Sequence, residues 1–195
     1  MNLNDISFDD FMSYDSKTRR MILNDPELIK IMLRKNLKQS RYDHSLSVAD
    51  LAKRLARMHH VDENKAYMAG LLHDCTKYLN EEEHDMYLKY FDPGKLSYPE
   101  SCKHSYSAKY YLKEKLNFHD KDILNAIYNH TICGSKDKLS MILYIADKRE
   151  PLRGIDDDII EIAEKDLYEA MGRLSWDVER YLKEVKNEGF IENRL

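Results

Sequence analysis

Six residues of ligand type sit where apolar side chains belong. His44 lies four residues before Val48 and seven before Leu51, so it extends the apolar stripe of a predicted helix. His73 follows Ala66 by seven residues and Ala69 by four, and Asp74 is its neighbour in the chain. His104 shares a face with Ala108 and Tyr111, and His130 completes the helical set Ile123, Ala126, Ile127, His130. Asp147 ends the stripe Leu139, Ile142, Leu143, Ala146. An unpaired carboxylate in an apolar core costs several kcal/mol, so a buried charge persists when it is paired or coordinated. Four imidazoles and two carboxylates gathered on metal would meet that demand. Each residue alone has a plainer reading: a single histidine on an apolar face is more often a hydrogen-bonded core residue, and either aspartate could pair with a lysine. His59 and His60 fall in a last helical turn, and His84 and His119 in polar, capping contexts, so these four are assigned no chemistry.

Several helices must converge to bring the six together, and the chain has the pattern for it. From residue 25 onward the dominant signal is the 3.6-residue period, broken by short polar stretches that read as caps. Asp25-Pro26-Glu27 starts one helix, with a side-chain cap, a proline at N1 and an acid in the first turn. Further helices are predicted over about 43–59, 63–77 after the Asp62 cap, and from an Asn80/Glu83 capping box onward. Others follow near 102–116, 120–130, 138–148, 157–174 and 175–188, the last stopped by Gly189. The segment 91–99, rich in Pro and Gly, reads as a surface loop. No stretch alternates with period 2, so the fold class is all-α. Residues 1–24 read as an accessory, helical N-terminal segment, and 25–195 as the main domain with its C-terminal helices.

Composition sets the outer bounds. A chain of 195 residues, 43% hydrophobic and 34% charged, is a single globular domain that buries roughly 70% of its unfolded surface. A formal charge of -4 argues against a protein that blankets nucleic-acid phosphates. Three cysteines, Cys75, Cys102 and Cys133, together with an acidic amino terminus, point to a reducing, cytoplasmic setting. The longest apolar run, Met141 to Ala146, is far short of the roughly 20 residues that cross a bilayer, so no membrane helix is expected.

The order His44, His73-Asp74, Asp147 resembles the signature of the HD-domain metal-dependent phosphohydrolases. With His104 and His130 added, the motifs Arg41-Tyr42-Asp43-His44, Ala69-Gly70-Leu71-Leu72-His73-Asp74-Cys75-Thr76-Lys77, Asn129-His130-Thr131 and Asp147 followed by Glu150-Pro151-Leu152-Arg153 resemble the YqeK-type branch, the symmetrical diadenosine tetraphosphate hydrolases. The resemblance covers about residues 26–175; Lys148-Arg149 and the loop 132–138 depart from the pattern without touching a ligand position. It implies an HD-domain helical bundle with the metal site in its core. It also implies His44, His73, Asp74 and Asp147 around one metal and His104 and His130 on a second, with Asp74 bridging and a hydroxide between the ions as nucleophile. Imidazole mixed with carboxylate favours transition metals over Mg²⁺. The resemblance points to two iron ions, with manganese, cobalt or nickel as alternatives.

Asp74 and Lys77 are the catalytic candidates. Lys77, four residues after His73, is placed to neutralise charge on a transferring phosphoryl group; its bland reading is a favourable last-turn cation. Arg41, Arg149 and Arg153 join it as candidates for phosphate binding, because guanidinium forks match phosphate oxygens. Arg153 has the best support, and Glu150 is placed to orient it. Gly134 and Gly154 are isolated, so no glycine-rich phosphate loop is expected. Tyr42, Tyr106, Tyr111 and Tyr128 lie near the ligands, where aromatics are more often core than base-stacking surfaces. The reading is hydrolysis of diadenosine tetraphosphate to two ADP, with a small nucleotide as partner, no nucleic acid or membrane, and a homodimer left open. Three rivals stand beside it: a hydrolase of another nucleotide, a di-iron oxygenase of HD type, and a non-catalytic sensor.

Overall fold

The computed structural model describes residues 6–174, and every described element is helical. Two short helices open it, α1 (Phe8–Phe11) and α2 (Ser16–Leu23). They are capped by Ser7, in a reciprocal box with Asp10, and by Asp15. Residues 6–24 thus form two helices rather than one, and they lie on the main core: Ile6, Phe8, Phe11 and Ile22 are fully buried, with the Phe8 ring stacked on Tyr78 and edge-on to Tyr111.

Asp25 caps α3 (Pro26–Asn36), as the Asp-Pro-Glu signal predicts. The bundle's centre is α4 (Gln39–Met58) against α5 (Glu63–Leu72), the latter capped by Asp62. Gly70 makes their contact possible, because a Cβ built there would lie 2.4 Å from the Ala49 Cα. Predicted to continue to 77, α5 stops at Leu72, and residues 73–79 fold into tight turns closed by backbone bonds from Cys75 to Leu72, Lys77 to Asp74 and Leu79 to Thr76.

The Asn80/Glu83 capping box starts α6 (Glu81–Phe91). After a 3₁₀ turn at Pro93–Lys95 comes α7 (Glu100–Tyr110), whose last turn widens into a π-helical stretch, Tyr111–Lys115. Asp120 caps α8 (Lys121–Asn129), and Asp137 caps α9 (Lys138–Arg149). The helix predicted over 157–174 is broken: α10 (Ile159–Lys165) ends at Asp166, and helix resumes over 167–174. The helix predicted over 175–188 lies outside the described residues. Among the described residues no helix is long and apolar enough to cross a membrane, and Cys75, Cys102 and Cys133 are free thiols.

Candidate metal centre

The six residues come from five places in the chain. His44 projects from the first turns of α4, His73 and Asp74 from the end of α5, His104 from α7, His130 from the C-cap of α8, and Asp147 from the last turn of α9. All are buried, none more than 8% exposed. Their donor atoms fall into two groups with Asp74 between them, and His73 is near enough to count with either: His44, His73 and Asp147 lie within 4.8 Å of one another, and so do His73, Asp74 and His130.

In the first group His44 Nε2 lies 3.1 Å from Asp147 Oδ1, 3.3 Å from His73 Nε2 and 4.0 Å from Asp74 Oδ2. His73 Nε2 closes it at 3.7 Å from Asp74 Oδ2 and 3.8 Å from Asp147 Oδ1. In the second group His104 Nε2 and His130 Nε2 are 3.0 Å apart, and they stand 3.3 and 3.7 Å from Asp74 Oδ1. One carboxylate therefore turns a different oxygen to each group.

The far nitrogens show which lone pairs face inward. His73 Nδ1 donates to the Gly70 carbonyl at 2.7 Å, and His130 Nδ1 donates to the Ile127 carbonyl at 2.7 Å. His44 Nδ1 donates to Glu150 Oε1 at 3.0 Å. In His73 and His130 this leaves Nε2 as the basic nitrogen, the arrangement that fixes imidazole for metal ligation, and in His44 it aims Nε2 at Asp147. His104 Nδ1 has no partner in the described structure.

Within the first group His73 Nε2, Asp147 Oδ1 and Asp74 Oδ2 face one another with at most one ring proton among them, on His44, while Arg41 and Arg153 donate to the two carboxylate oxygens from outside the group. A divalent cation would satisfy all four donors, and the mixture of imidazole and carboxylate suits a transition ion. The residues fit the metal that the sequence implies.

Electrostatics agree with ligand-ready side chains. Burial pulls His73 down to about 4 and His104 down to about 3, so both imidazoles are neutral near pH 7. Burial also lowers His44, but bonds to Asp147 and Glu150 outweigh it and its pKa is raised. For Asp74, burial works toward the acid form; the adjacent imidazoles of His73, His104 and His130, whose protonated forms favour a carboxylate beside them, outweigh it and hold Asp74 well below the usual carboxylate range. Asp147 is depressed against burial in the same way, chiefly by Lys148 and by the bond from His44.

Cations ring the mouth. Arg41 Nη1 lies 3.1 Å from Asp74 Oδ2, Arg153 Nη2 2.9 Å from Asp147 Oδ1, and Lys148 Nζ 2.7 Å from Asp147 Oδ2. Arg153 Nε also donates to the Asp147 carbonyl. Arg41 and Arg153 both line an opening of about 420 Å³ that His44 and Glu150 also line. Lys77 lies on the turn after Asp74, half-buried. Burial lowers its ammonium pKa, with the positive charges of Arg41 and Lys148 adding to the effect and Asp74 and Asp147 opposing it. Arg149 is not brought to the group: its Nε is 2.6 Å from Asp157 Oδ2, and Nη1 donates to the Lys148 carbonyl.

Two residues have other places than the sequence suggests. Glu150 accepts a hydrogen bond from His44 Nδ1 and caps the Leu152 amide instead of orienting Arg153. His84, expected in a polar capping context, is 5% exposed, its Nδ1 2.7 Å from Ser107 Oγ. The period of α6 alone did not reveal that burial, because α7 supplies the cover. Of the four tyrosines, Tyr111 is core, with its hydroxyl 2.7 Å from that of Tyr78. Tyr106 packs in a small separate cluster with Leu88 and Cys102, and Tyr128 bonds Asp92. Tyr42 lies beneath the Arg34 guanidinium at 5.9 Å.

Residues 41–152 match the family model described as HD domain. A relative from Staphylococcus aureus, named symmetrical bis(5'-nucleosyl)-tetraphosphatase, is 31% identical over 158 residues, covering 75% of this chain and 81% of that protein. A Mycoplasma pneumoniae protein named probable nicotinate-nucleotide adenylyltransferase/Ap4A hydrolase is 36% identical over 149 residues, 71% of this chain. The chain spans about two fifths of the length of the Mycoplasma relatives it matches, 43% and 40%. A crystal structure of a predicted HD superfamily hydrolase involved in NAD metabolism, from Clostridium acetobutylicum, superposes with a TM-score of 0.71 at 31% identity, over 85% of this chain and 89% of that one.

Proposed function

The chain belongs to the HD-domain family, and from that premise we propose that it hydrolyses diadenosine tetraphosphate symmetrically to two ADP, holding two iron ions on His44, His73, Asp74, His104, His130 and Asp147. The observation that carries this reading is the division of Asp74, with Oδ2 toward the His44/His73/Asp147 group and Oδ1 toward the His104/His130 pair. The names of the Staphylococcus aureus and Mycoplasma pneumoniae relatives support the substrate.

When bound, paired ions supply a water acidic enough to act as nucleophile near neutral pH and offset charge on the attacking and leaving oxygens. The chain's own residues do the rest. His73, His130 and His44 keep their Nε2 lone pairs inward through the bonds to Gly70, Ile127 and Glu150. Arg41 and Arg153, lining the mouth, hold the flanking phosphates of a four-phosphate bridge, for which planar forks are suited. Lys77 neutralises the departing ADP oxygen. Water adds to one of the two central phosphorus atoms, the P–O bond of the central anhydride breaks, and the proton balance leaves two ADP.

The test is to produce the protein with iron available, quantify bound metal, and follow diadenosine tetraphosphate by chromatography under reducing conditions. Near two metals per chain with ADP as sole product is the expected result. Two metals with intact dinucleotide, or a preference for mononucleotides in a nucleotide panel, would overturn the substrate assignment. Oxygen consumption with an organic substrate would overturn the reaction class.

A further inference from the structure

On another side of the bundle α2, α5 and the start of α8 enclose a second cleft, of about 940 Å³. Its volume lies within the range of small-molecule sites, roughly 300–1,000 Å³. None of the six ligand residues lines it. Leu23, Met68, Leu116, Phe118 and Ile123 give it an apolar floor, each at most 7% exposed.

The rim is mainly cationic. α2 presents Ser16, Arg19, Arg20 and Leu23 at helical spacing along one wall, with Lys17 beside them; Lys65 stands opposite, its ammonium already paired with Asp120 and Asp122. The single acid in the lining, Asp120, is committed already: Oδ1 accepts the Asp122 and Ile123 amides, and Oδ2 is 3.2 Å from Lys65. Arg19 and Arg20 have no carboxylate partner among the described residues, whereas Arg54, Arg57, Arg149 and Arg173 each have one. A solvated arginine on a helix is ordinary; two of them over an apolar floor large enough for a planar ring are not. The amides at the starts of α5 and α8 are taken by Asp62 and Asp120, so anion binding here rests on the side chains. Leu116, Asn117 and Phe118 form the third wall, Asn117 in the left-handed region at φ 57°.

We propose that this cleft is a second binding site, for a mononucleotide: the ring lies on Met68, Phe118 and Ile123, and Arg19 and Arg20 hold the phosphate. The site is separate from the metal centre, yet joined to it by two helices. α5 carries Lys65 and Met68 toward one end and leads to His73 and Asp74 at the other, roughly 12 Å along the axis from Lys65 to His73. α8 likewise carries Ile123 at its start and His130 at its C-cap.

The experiment is titration calorimetry of AMP, adenosine and inorganic phosphate against the full metal-loaded chain, in an Arg41→Ala/Arg153→Ala background that disables the other anion-binding mouth. AMP is expected to bind there, about tenfold or more tighter than adenosine or phosphate alone, since each lacks half of the contacts. Adding Arg19→Glu/Arg20→Glu is expected to weaken AMP by about tenfold or more, the loss of a charge-assisted contact. Arg19→Gln/Arg20→Gln repeats the test without charge reversal if the first pair disturbs α2. Absence of AMP binding in the background, or binding indifferent to both Arg19/Arg20 pairs, overturns the proposal. Phosphate binding as tightly as AMP would reduce the site to an inorganic anion site and overturn the mononucleotide assignment.

Discussion

Glu150 accepts a hydrogen bond from His44 Nδ1 at 3.0 Å across 106 residues of chain, and both side chains are buried. This bond ties α4 to the end of α9 and turns His44 Nε2 toward Asp147 and His73. The metal group therefore depends on a residue that is not itself a donor to it.

Glu150→Ala is expected to weaken metal binding by about 10–100-fold, the usual cost of losing the partner of a ligating histidine. Glu150→Gln, which keeps an acceptor, should recover much of the loss. Metal competition with a chromophoric chelator reads both. Equal affinity in Glu150→Ala and the parent would remove Glu150 from the account.

Asp74→Ala takes one donor from each group, whereas His130→Ala takes one from the second group only. Metal analysis should therefore find both ions depleted in the first variant and one retained in the second. Loss of a single ion in Asp74→Ala would falsify the bridging role.

Arg41→Ala and Arg153→Ala are expected to lower kcat/KM for diadenosine tetraphosphate by about 10–100-fold each, the worth of a charged hydrogen bond to phosphate. Both should retain metal. Arg149→Ala, whose guanidinium is held by Asp157, is expected to leave kcat/KM near the parent value. Steady-state kinetics on the three variants separates them.

Gly70→Ala places a Cβ 2.4 Å from the Ala49 Cα, a backbone atom that cannot swing aside. Helices α4 and α5 must move apart, at a cost of about 1–3 kcal/mol or more. The shift also displaces the carbonyl that holds His73 Nδ1. Urea denaturation should show the lost stability, and metal affinity should fall with it.

Stability of the metal-free chain should peak near pH 6.5. His73 and His104 have folded pKa values depressed to about 4 and about 3, so their contribution is present above the unfolded value of 6.5 and is lost as pH falls through the folded values. For His73 the full loss is about 3 kcal/mol. His44 works in the opposite sense: its pKa is raised, so its contribution is full below 6.5 and is lost as pH rises through the folded value. Urea midpoints at pH 8, 6.5 and 5 test the sign, and a steady rise in stability from pH 6.5 down to 5 would contradict it.

The sequence by itself determined the helices and the ligand types. Side-chain caps at Asp25, Asp62, Asn80 and Asp120 mark helix starts that the structure keeps, because capping is settled within three or four residues. The six histidines and aspartates were legible for a similar reason: a polar residue on an apolar stripe is a local contradiction that one helix displays alone. Tertiary structure decided what such periodicity does not encode. The burial of His84 by α7 and the bond from Thr76, in the turns after α5, to the His104 carbonyl depend on neighbours distant in the chain, whereas the break at Asp166 is a local cap, its side chain accepting the Tyr168 and Glu169 amides. Tertiary structure also set the partner of Glu150, the pairing of Arg149 with Asp157, and the assignment of one Asp74 oxygen to each histidine group. Apart from the Arg149–Asp157 pair, eight residues apart, these join segments distant in the chain, brought together by packing such as that of α4 on α5 over Gly70, and no helical period carries that information.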